Sequence, residues 1–579
     1  MIPRYIVLFG DSVAHLEQSK LFQHGQLSSM SVVHASALLR VIAGPDAPFL
    51  RIPGFGLVIG TLYDDCGAAI THAADMGQSF AWSFDSLLQH TWGQYIAIQL
   101  GASDLSPLAV LRDPSGAVQC VYRTSSGGGF ITSDISLAIA LGVYRRRVDW
   151  QSIHHGLASP HLKTQDTMLA GVSELLPGNS LTCQPDRTSQ ASRWSPWRFV
   201  EADARYRDRG LAQAAVRSAV CTAISALVAD KEKFIVELSG GLDSSIVSAG
   251  MGHAAQRAVF CTLAISVAGT DESGYARMVT NALQQPLHEV DVGTQGIDFA
   301  FPVSPDSVRP SIGAMENVIN RTWEAEAARH GATTFFSGGG GDSVFCYLTT
   351  AAPAADAVLE RGLRAGLTAI QELAILHECT IWKAMRLTLR KLRRKPSIGS
   401  SGDRRFLNPA LPMPQPMQHP WLQAPVGSLP GDREKIVDLA GTQLFREITL
   451  RGAGRSICFP LLSQPVMEAC LRVPSWMWIA EGRNRAIARD AFADLLPREI
   501  IQRRSKGSHI SFMGAVYARR RHAMRRMLLD GALNAQGLLD QPALERFMKR
   551  DATPADLSFL RVFQLCGVEN WVRHQLHST

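Results

Sequence analysis

The chain has 579 residues, of which 46 % are apolar and 19 % charged, so its composition is that of a globular protein and excludes a largely disordered one. This length exceeds what one ordinary hydrophobic core supports, and two domains are expected. The net charge of +7 is modest, and most of the excess basic residues lie in two runs, Lys383–Lys395 and Tyr517–Arg526. Such runs are usually solvated helix faces, and no aromatic residues interleave them as in single-strand binding, so we expect no nucleic-acid partner.

Ten cysteines are scattered between Cys66 and Cys566 without a Cys-x-x-Cys pair. This spacing favours reduced thiols in a cytoplasmic protein over a disulfide framework or a zinc site. Only a few apolar residues separate Met1 from Asp11, so we expect no signal peptide. No uninterrupted apolar run reaches about 18 residues, so we expect no membrane span.

The two halves of the chain differ in their patterns. Residues 1 to 190 contain short apolar segments broken by Gly, Pro, Asn and Asp, which predict a β-rich half. The polar segment 192–210 predicts a boundary between domains 1–200 and 208–579. Beyond it, strands alternate with helices, which predicts a parallel sheet with helices on both faces. Residues after 355 are mainly helical, except for a segment rich in Pro, Gly and Ser at 396–430, which we expect to be a mobile loop.

The strongest motif follows the first predicted strand of the second half, Phe234–Leu238. It reads Ser-Gly-Gly-Leu-Asp-Ser-Ser and occupies Ser239–Ser245. Its two glycines allow a sharp turn that brings N–H groups close to a ligand, and the helix beginning near Ser245 adds partial positive charge, so the loop predicts an anion cradle. An aspartate in an anion site repels phosphate unless a cation intervenes, so Asp243 is predicted to bind Mg²⁺ that bridges to phosphates.

A second glycine loop, Ser-Gly-Gly-Gly-Gly-Asp-Ser at Ser337–Ser343, also follows a predicted strand. Alone, this run could be a flexible turn. If the two loops lie at neighbouring strand ends, Asp243 and Asp342 stand on opposite sides of one metal ion, which is the chemistry expected around nucleotide-bound Mg²⁺.

The first loop resembles the pyrophosphate loop of the ATP pyrophosphatases, which include asparagine synthetase, β-lactam synthetase, GMP synthetase and argininosuccinate synthetase. Further blocks narrow the resemblance to the asparagine synthetase branch and extend it over nearly the whole chain. These blocks are Ser337–Asp342, Phe459–Leu462, Glu481–Arg485 leading to Arg489, and Leu496–Glu499 leading to Arg503–Gly507. The resemblance implies cleavage of ATP to AMP and pyrophosphate, attack of a substrate carboxylate on the α-phosphorus, and attack of an amine on the adenylate.

The resemblance also implies roles for individual residues and a fold. Lys506 would stabilise the pyrophosphate leaving group and the charge of the tetrahedral intermediate, and Arg485 is a weaker candidate for this role. Asp243 and Asp342 would hold Mg²⁺. The implied nucleotide contacts are Leu238, Ser239, Gly240, Gly241, Asp243, Ser244, Ser245, Ile265, Ser337 and Gly338. The implied fold is α/β, with an Ntn-hydrolase-like αββα sandwich followed by a parallel-sheet ATP pyrophosphatase domain with helical additions.

The first half resembles the glutamine-hydrolysing domain of asparagine synthetases. The similar segments are Trp92–Tyr95, Leu111–Gly116, Thr132–Asp134 and Glu174–Gly178. Those enzymes need a Cys directly after the initiator Met, with its thiolate activated by its own amine, and this chain has Ile2 there. The block that supplies their oxyanion Asn reads Ile-Gly-Thr-Leu-Tyr-Asp at 59–64. We therefore expect a degenerate glutaminase domain, and an attacking amine that comes from the substrate.

β-Lactam synthetases resemble the chain but carry a Tyr at the position of Gly339, so their catalytic dyad is incomplete here. The loop, followed by Val344 and Phe345, is more similar to the lasso peptide macrolactam synthetases. That resemblance implies a ribosomal precursor peptide whose Asp or Glu side chain is adenylated and joined to its N-terminal amine, and a leader-peptide protease as a further partner. Small-molecule amide ligation, as by β-lactam or asparagine synthetases, and an inactive partner-binding scaffold are the alternatives.

The attacking amine must lose a proton, so a general base is expected near the adenylate. His377 and Glu378, on a helix after the second loop, are the candidates, although such residues are more often structural or solvated. Glu316 is a further candidate for binding the substrate amine or carboxylate, with a surface helix position as its plain alternative.

Overall fold

A computed structural model describes most of the chain, and the structural statements below concern these residues. They are residues 3–19, 29–101, 107–184, 187–264, 272–292, 296–393, 402–412, 419–448, 455–504, 510–550 and 556–577.

The first half contains two six-stranded antiparallel sheets. Its strands are β1 (Tyr5–Gly10), β2 (Ser31–Ala35), β3 (Leu39–Ala43), β4 (Phe49–Ile52), β5 (Gly56–Asp64), β6 (Thr91–Gln99), β7 (Leu108–Arg112), β8 (Val121–Ser125), β9 (Gly128–Thr132), β10 (Ser173–Glu174), β11 (Asn179–Cys183) and β12 (Thr188–Ser192). Its helices are α1 (Asp11–Ser19), α2 (Phe84–His90), α3 (Ile135–Ala140) and α4 (Trp150–Ala158). The strand orders are β10-β8-β9-β1-β3-β2 and β12-β11-β7-β6-β5-β4.

Alternation along the strands arranges this half in layers, because successive side chains of a strand point to opposite faces. In β1, Tyr5 and Val7 join a core shared with β5 and β6 of the other sheet, whereas Ile6 and Leu8 pack under helices α1, α3 and α4. In the same way, Val58 of β5 turns away from the shared core toward α2. The order is therefore helix, sheet, sheet, helix.

The second half is built on a parallel sheet of order β15-β14-β13-β16-β17. Its strands are β13 (Phe234–Glu237), β14 (Ala258–Ala264), β15 (Leu287–Asp291), β16 (Thr334–Ser337) and β17 (Ser456–Cys458). Four of them were predicted from the sequence, and β17, which is only three residues long, was not. The α/β class with a parallel sheet is thus confirmed.

Helices cover both faces of this sheet: Phe234 and Val236 of β13 pack on the side of α5 and α6, and Ile235 packs on the side of α8. The helices are α5 (Arg209–Val228), α6 (Leu242–Ala249), α7 (Ser273–Ala282), α8 (Ala314–His330), α9 (Gly341–Val344), α10 (Ala352–Arg361), α11 (Leu363–Leu376), α12 (Ile381–Arg393), α13 (Pro430–Ile448), α14 (Gln464–Leu471), α15 (Ala486–Ala491), α16 (Arg498–Gln502), α17 (Ile510–Leu529), α18 (Ala532–Ala535), α19 (Gln541–Lys549) and α20 (Ser558–His577).

Helix α5 is, within the described residues, the one helix long and apolar enough to cross a membrane by length and composition. It packs against α14 and α15 in the protein core. This packing is the ordinary reason for an apolar helix in a folded domain.

The expectation of a mobile loop at 396–430 is wrong for the parts that the structure describes. In the segment 402–412, Asp403 donates its backbone N–H to Ala158 O at 2.9 Å, and Asn408 donates to Leu538 O at 2.9 Å. In the segment 419–429, Trp421 is buried and its carbonyl accepts a hydrogen bond from Trp197 Nε1 at 2.7 Å. The proline and glycine residues predicted an irregular backbone. In the described parts of this segment, buried side chains and hydrogen bonds hold that backbone against the rest of the protein.

Candidate active site

Both glycine loops leave the same edge of the parallel sheet. The first connects β13 to α6 and the second connects β16 to α9, and β13 pairs with β16 in parallel with Glu237 opposite Ser337. Because carboxyl ends of parallel strands share an edge, the loops lie side by side at the position where open α/β sheets bind ligands. The predicted juxtaposition of the two loops is confirmed.

In the first loop, Gly240 has a positive φ of 70°, and a Cβ there would lie 2.5 Å from the Cβ of Tyr275 in α7. Only glycine fits both constraints without strain. The serine hydroxyls brace the turn: the Ser239 backbone N–H donates to Ser244 Oγ at 3.2 Å, and Ser245 Oγ donates to Gly241 O at 2.7 Å. The loop is thus a tight cradle at the N-terminus of α6, as anion binding requires.

The second loop is equally tight, so the flexible-turn alternative is wrong. A Cβ at Gly338 would lie 2.4 Å from the Ser244 nitrogen, and one at Gly341 would lie 2.4 Å from Asp243 Cγ, so the two loops touch. A Cβ at Gly339 would meet the rings of Phe445 and Phe459 at 2.3 and 2.8 Å, and one at Gly340 would meet Leu462 at 2.4 Å. Close packing therefore explains why four glycines follow one another.

The carboxylates of Asp243 and Asp342 converge on the guanidinium of Arg485. Its Nη1 lies 3.0 Å from each oxygen of Asp243 and 2.8 Å from Oδ1 of Asp342. Side-chain exposures are 11 % for Arg485, 18 % for Asp243 and 37 % for Asp342, so the three groups are partly shielded from water. Two carboxylates at such a separation repel each other, and the shared cation offsets that repulsion.

These carboxylates also fit a bound Mg²⁺. Both carboxylates supply hard oxygen ligands, and they approach the same place from the two loops. The guanidinium of Arg485 occupies that place and lies within hydrogen-bond distance of both. No cluster of three or more His, Cys, Asp or Glu residues able to hold a metal occurs in the described ranges. Proteins commonly bind Mg²⁺ through one or two carboxylates, and water and substrate phosphates supply its other ligands.

Two more arginines organise the late basic segment: Arg503 ties it to the first loop, and Arg489 holds the segment together. Arg503 donates to the carbonyl of Gly240 at 3.0 Å, pairs with Glu272 and lies 3.9 Å above the ring of Tyr275. Arg489 donates to the carbonyls of Asn484 at 2.8 Å and Arg503 at 3.0 Å. The late basic segment, from Arg485 to Arg503, therefore packs against the first glycine loop.

The remaining predicted site residues are placed as follows. Leu238 is buried at the end of β13 and donates its N–H to Cys261 O at 2.9 Å, and Ser337 is buried at the end of β16. Gly338 adjoins Ser244. Ile265 and Lys506 lie outside the described residues, so the roles predicted for them stay predictions.

The general-base candidates stay predictions as well. His377 directly follows α11, where burial lowers its pKa, and Glu378 is exposed with a left-handed φ of 48°. Helix α11 reaches the segment before Arg485, because Glu372 accepts a hydrogen bond from the Gly482 N–H at 2.6 Å. Glu316 lies in the first turn of α8 and is half-buried.

Sequence reasoning missed two features of the site. It named Arg485 only as a weaker candidate for the leaving group, although two acidic loops at one sheet edge demand a nearby cation. It also missed Asp438 of α13, where partial burial and the charges of Glu434 and Asp342 raise the pKa to about 6. Nothing in the linear sequence connects residue 438 with residue 342, so no signal could have found it.

A comparison with protein families matches the model described as asparagine synthase to residues 215–573, more than half of the chain. The chain belongs to the asparagine synthase family. As a member, it is an ATP-dependent carbon–nitrogen ligase, and both glycine loops lie within the matched range. A comparison with curated proteins finds no match.

Two solved structures are similar to this asparagine synthase family chain at low scores. The structure of the allosteric regulatory enzyme of purine biosynthesis has a TM-score of 0.20 at 11 % identity, covering 50 % of this chain and 74 % of that one. Glutamine phosphoribosylpyrophosphate amidotransferase from B. subtilis, complexed with ADP and GMP, has a TM-score of 0.19 at 11 % identity, covering 58 % and 84 %.

In the first half of this asparagine synthase family member, neither end of the 59–64 block offers a side-chain hydrogen-bond donor. Ile59, which opens the 59–64 block, is fully buried between the two sheets and has no polar atom to donate. Asp64, which ends the block, accepts backbone hydrogen bonds from Cys66 at 2.9 Å and Ala68 at 2.8 Å. A carboxylate that accepts bonds from its own turn is no oxyanion donor.

Proposed function

We propose that the chain is a peptide macrolactam synthetase of the kind that makes lasso peptides. An Asp or Glu side-chain carboxylate of a precursor peptide attacks the α-phosphorus of ATP, which forms an acyl-adenylate and releases pyrophosphate. The peptide's N-terminal amine then attacks the acyl carbon, loses a proton and expels AMP, which leaves an isopeptide ring. The peptide becomes one water lighter.

The lack of glutaminase groups supports an amine from the substrate. Ile2 stands where a nucleophilic Cys is required, and the side chains of Ile59 and Asp64 offer no hydrogen-bond donor to an oxyanion. A degenerate glutaminase domain generates no ammonia, so the nucleophile for the second step must enter with the substrate. We propose that this degenerate glutaminase-like domain spans residues 1–200 and that the amide-forming domain spans residues 208–579.

The observation that carries the proposal is the packing of Gly339. β-Lactam synthetases have a Tyr at this position, but here the rings of Phe445 and Phe459 lie 2.3 and 2.8 Å from where a Cβ would stand. A tyrosine would therefore need both rings to move. The loop is built for glycine, which favours the lasso peptide synthetases over the β-lactam branch.

The site residues have the following proposed roles. Asp243 and Asp342 would hold Mg²⁺, which neutralises phosphate charge when bound. The nucleotide would lie along the two glycine loops, with Leu238, Ile265, Ser337 and Gly338 beside adenine, ribose or the α-phosphate. Lys506 would stabilise the leaving pyrophosphate. His377 or Glu378 would accept the proton of the amine.

The proposed partners are a ribosomal precursor peptide and the leader-peptide protease that exposes its N-terminal amine. We place the reaction in the cytoplasm. All ten cysteines are free thiols, which is consistent with a reducing compartment.

Mass spectrometry tests the proposal directly. A set of peptides with a free N-terminal amine and one Asp or Glu at varied positions is incubated with the protein, ATP and Mg²⁺. We expect one or more peptides to lose one water while AMP appears in equal amount. An N-acetylated copy of a reactive peptide is the control, because it offers the carboxylate without the nucleophile and must not cyclise.

Other results would overturn the proposal and point elsewhere. Pyrophosphate release with a free amino acid, but no water loss from any peptide, would indicate a small-molecule amide ligase. The absence of ATP turnover with every carboxylate would indicate a partner-binding scaffold. The double variant with Asp243→Asn and Asp342→Asn separates true turnover from contamination, since it is expected to release no pyrophosphate.

A further inference from the structure

Arg485 differs from the other arginines of the late basic segment in how it is held. Arg489 and Arg503 are fixed by backbone carbonyls, including those of Asn484 and Gly240. Within the described residues, Nη1 of Arg485 donates to both aspartates, and its buried Nε has no hydrogen-bond partner. Its guanidinium also lies 5.2 Å from the ring centre of Tyr347, which is a cation–π contact.

The position of Arg485 is maintained by its backbone rather than by further polar contacts. It precedes α15 with a left-handed φ of 52°, a conformation that is unfavourable for a non-glycine residue. The strained residue aims a cation between two carboxylates that a metal ion would also use. Such strain at a ligand site is retained when the surrounding structure over-determines it.

A guanidinium and a divalent cation cannot both sit between these carboxylates without strong repulsion. Mg²⁺ binds oxygen at about 2.0–2.1 Å, and Nη1 lies 2.8–3.0 Å from the same oxygens. Two adjacent carboxylates carry two negative charges, which is too little to balance three positive ones in a partly shielded site. A triphosphate supplies the missing negative charge, and its oxygens match the hydrogen-bonding fork of an arginine.

We propose that Arg485 and a divalent cation compete for the Asp243–Asp342 pair, so that the pair accepts the cation only together with a nucleoside triphosphate. This inference rests on the proposed nucleotide site, but it does not depend on which carboxylate is activated. The guanidinium moves from the aspartates to the phosphates when the complex binds. The ligand of the site is therefore a metal–triphosphate complex and not the free cation.

Binding of Mn²⁺ alone, followed by the EPR signal of the free ion, tests this competition without any turnover. For the full-length wild-type chain we expect no binding of Mn²⁺ at millimolar concentration. Arg485→Gln is expected to bind Mn²⁺ alone at least tenfold more tightly, a difference of about 1.4 kcal/mol. The additional change Asp342→Asn should abolish this binding, which would locate the ion between the two loops.

Arg483→Gln is the matched control. Arg483 lies two residues earlier and pairs with Glu481 at 2.9 Å and Asp490 at 3.2 Å, away from the aspartate pair. We expect this variant to resemble wild type. Thermal unfolding gives a second readout, because Mn²⁺ alone should raise the melting temperature of Arg485→Gln and leave that of wild type unchanged.

Equal affinity of wild type and Arg485→Gln for Mn²⁺ alone would overturn the competition. If Arg485→Gln fails to fold, Arg485→Lys replaces it, because lysine keeps the positive charge in a shorter, compact side chain. Failure of Arg485→Lys to bind Mn²⁺ alone would support the proposal. Tight binding of Mn²⁺ alone by wild type would still refute it. Failure of the peptide assay leaves these measurements unaffected, so the two proposals fail separately.

Discussion

Gly339 illustrates how much of this site is decided by single atoms. The glycine run follows a predicted strand and ends in an aspartate, so the sequence predicted a ligand loop, but it could not exclude a flexible turn. The rings that confine the loop come from Phe445 and Phe459, more than a hundred residues further along the chain. Contacts of this kind arise only after folding, which is why the sequence predicted the loop's place but not its tightness.

Gly339→Ala is expected to lower the free energy of unfolding by about 1–3 kcal/mol, because the added methyl group overpacks a filled space. Urea unfolding measures the change. Gly274→Ala is the control, since Gly274 in the first turn of α7 has no atom within 4 Å of its would-be Cβ. Helix propensity favours alanine there by up to about 1 kcal/mol. Equal stability of the two variants would contradict the packing argument.

At the scale of elements, helices α10 and α13 meet around a buried acidic pair. Asp356 of α10 is fully buried and accepts hydrogen bonds from the Gly431 N–H at 2.9 Å and from Ser475 Oγ, with Asp432 of α13 nearby. The sequence predicted helices beyond residue 355, and the helices are there. It could not predict that two aspartates face inward, because aspartate is almost always exposed and only the tertiary fold supplies its partners.

This pair makes stability depend on pH. Burial and the charge of Asp432 raise the pKa of Asp356 to about 8, whereas an unfolded Asp titrates near about 3.9. The folded state therefore binds the proton of Asp356 more tightly than the unfolded state does. The resulting contribution of Asp356 to the free energy of unfolding is full below about pH 4 and is lost as the pH rises toward 8. Asp356→Asn mimics the protonated form, and its urea midpoint is expected to fall less than that of wild type between pH 5 and pH 8.

Asp494→Asn is the control for this pH series. Asp494 forms an exposed pair with Arg217 on the protein surface, and such pairs contribute little. Its pH profile should follow wild type. A parallel decline in Asp356→Asn and wild type would show that another group controls the pH dependence.

For the whole molecule, a buried charge cluster joins the two halves of the chain. Glu174 contacts Arg112 and Lys163, each at 2.7 Å, and also Arg309 of the second half. Glu447 of α13 completes the cluster, at 2.5 Å from Lys163 and 2.8 Å from Arg309. The sequence marked Glu174 as part of a family landmark, but its partner Arg309 lies 135 positions away, which no local pattern reveals.

Glu174→Ala is expected to destabilise the protein by about 3–5 kcal/mol, because three buried cations lose a shared partner. Burial alone would raise the pKa of Glu174, but Lys163, Arg309 and Arg112 hold it well below its usual range. The carboxylate is thus charged at neutral pH, and its contribution is lost only in strong acid. Urea unfolding at pH 7 measures the loss, and Glu545→Ala, at the exposed pair with Arg525, should leave the midpoint close to wild type.

The first half of the chain is joined to the second half by contacts besides this charge cluster. Trp197 donates its indole N–H to the carbonyl of Trp421, Trp194 donates its indole N–H to Glu468, and Glu174 balances the charge of Arg309. A chain without the first half would expose the apolar surface around Trp421 and would leave Arg309 without one of its two carboxylate partners. The loss of a catalytic group in the first half would therefore leave these contacts, and the need for its fold, unchanged.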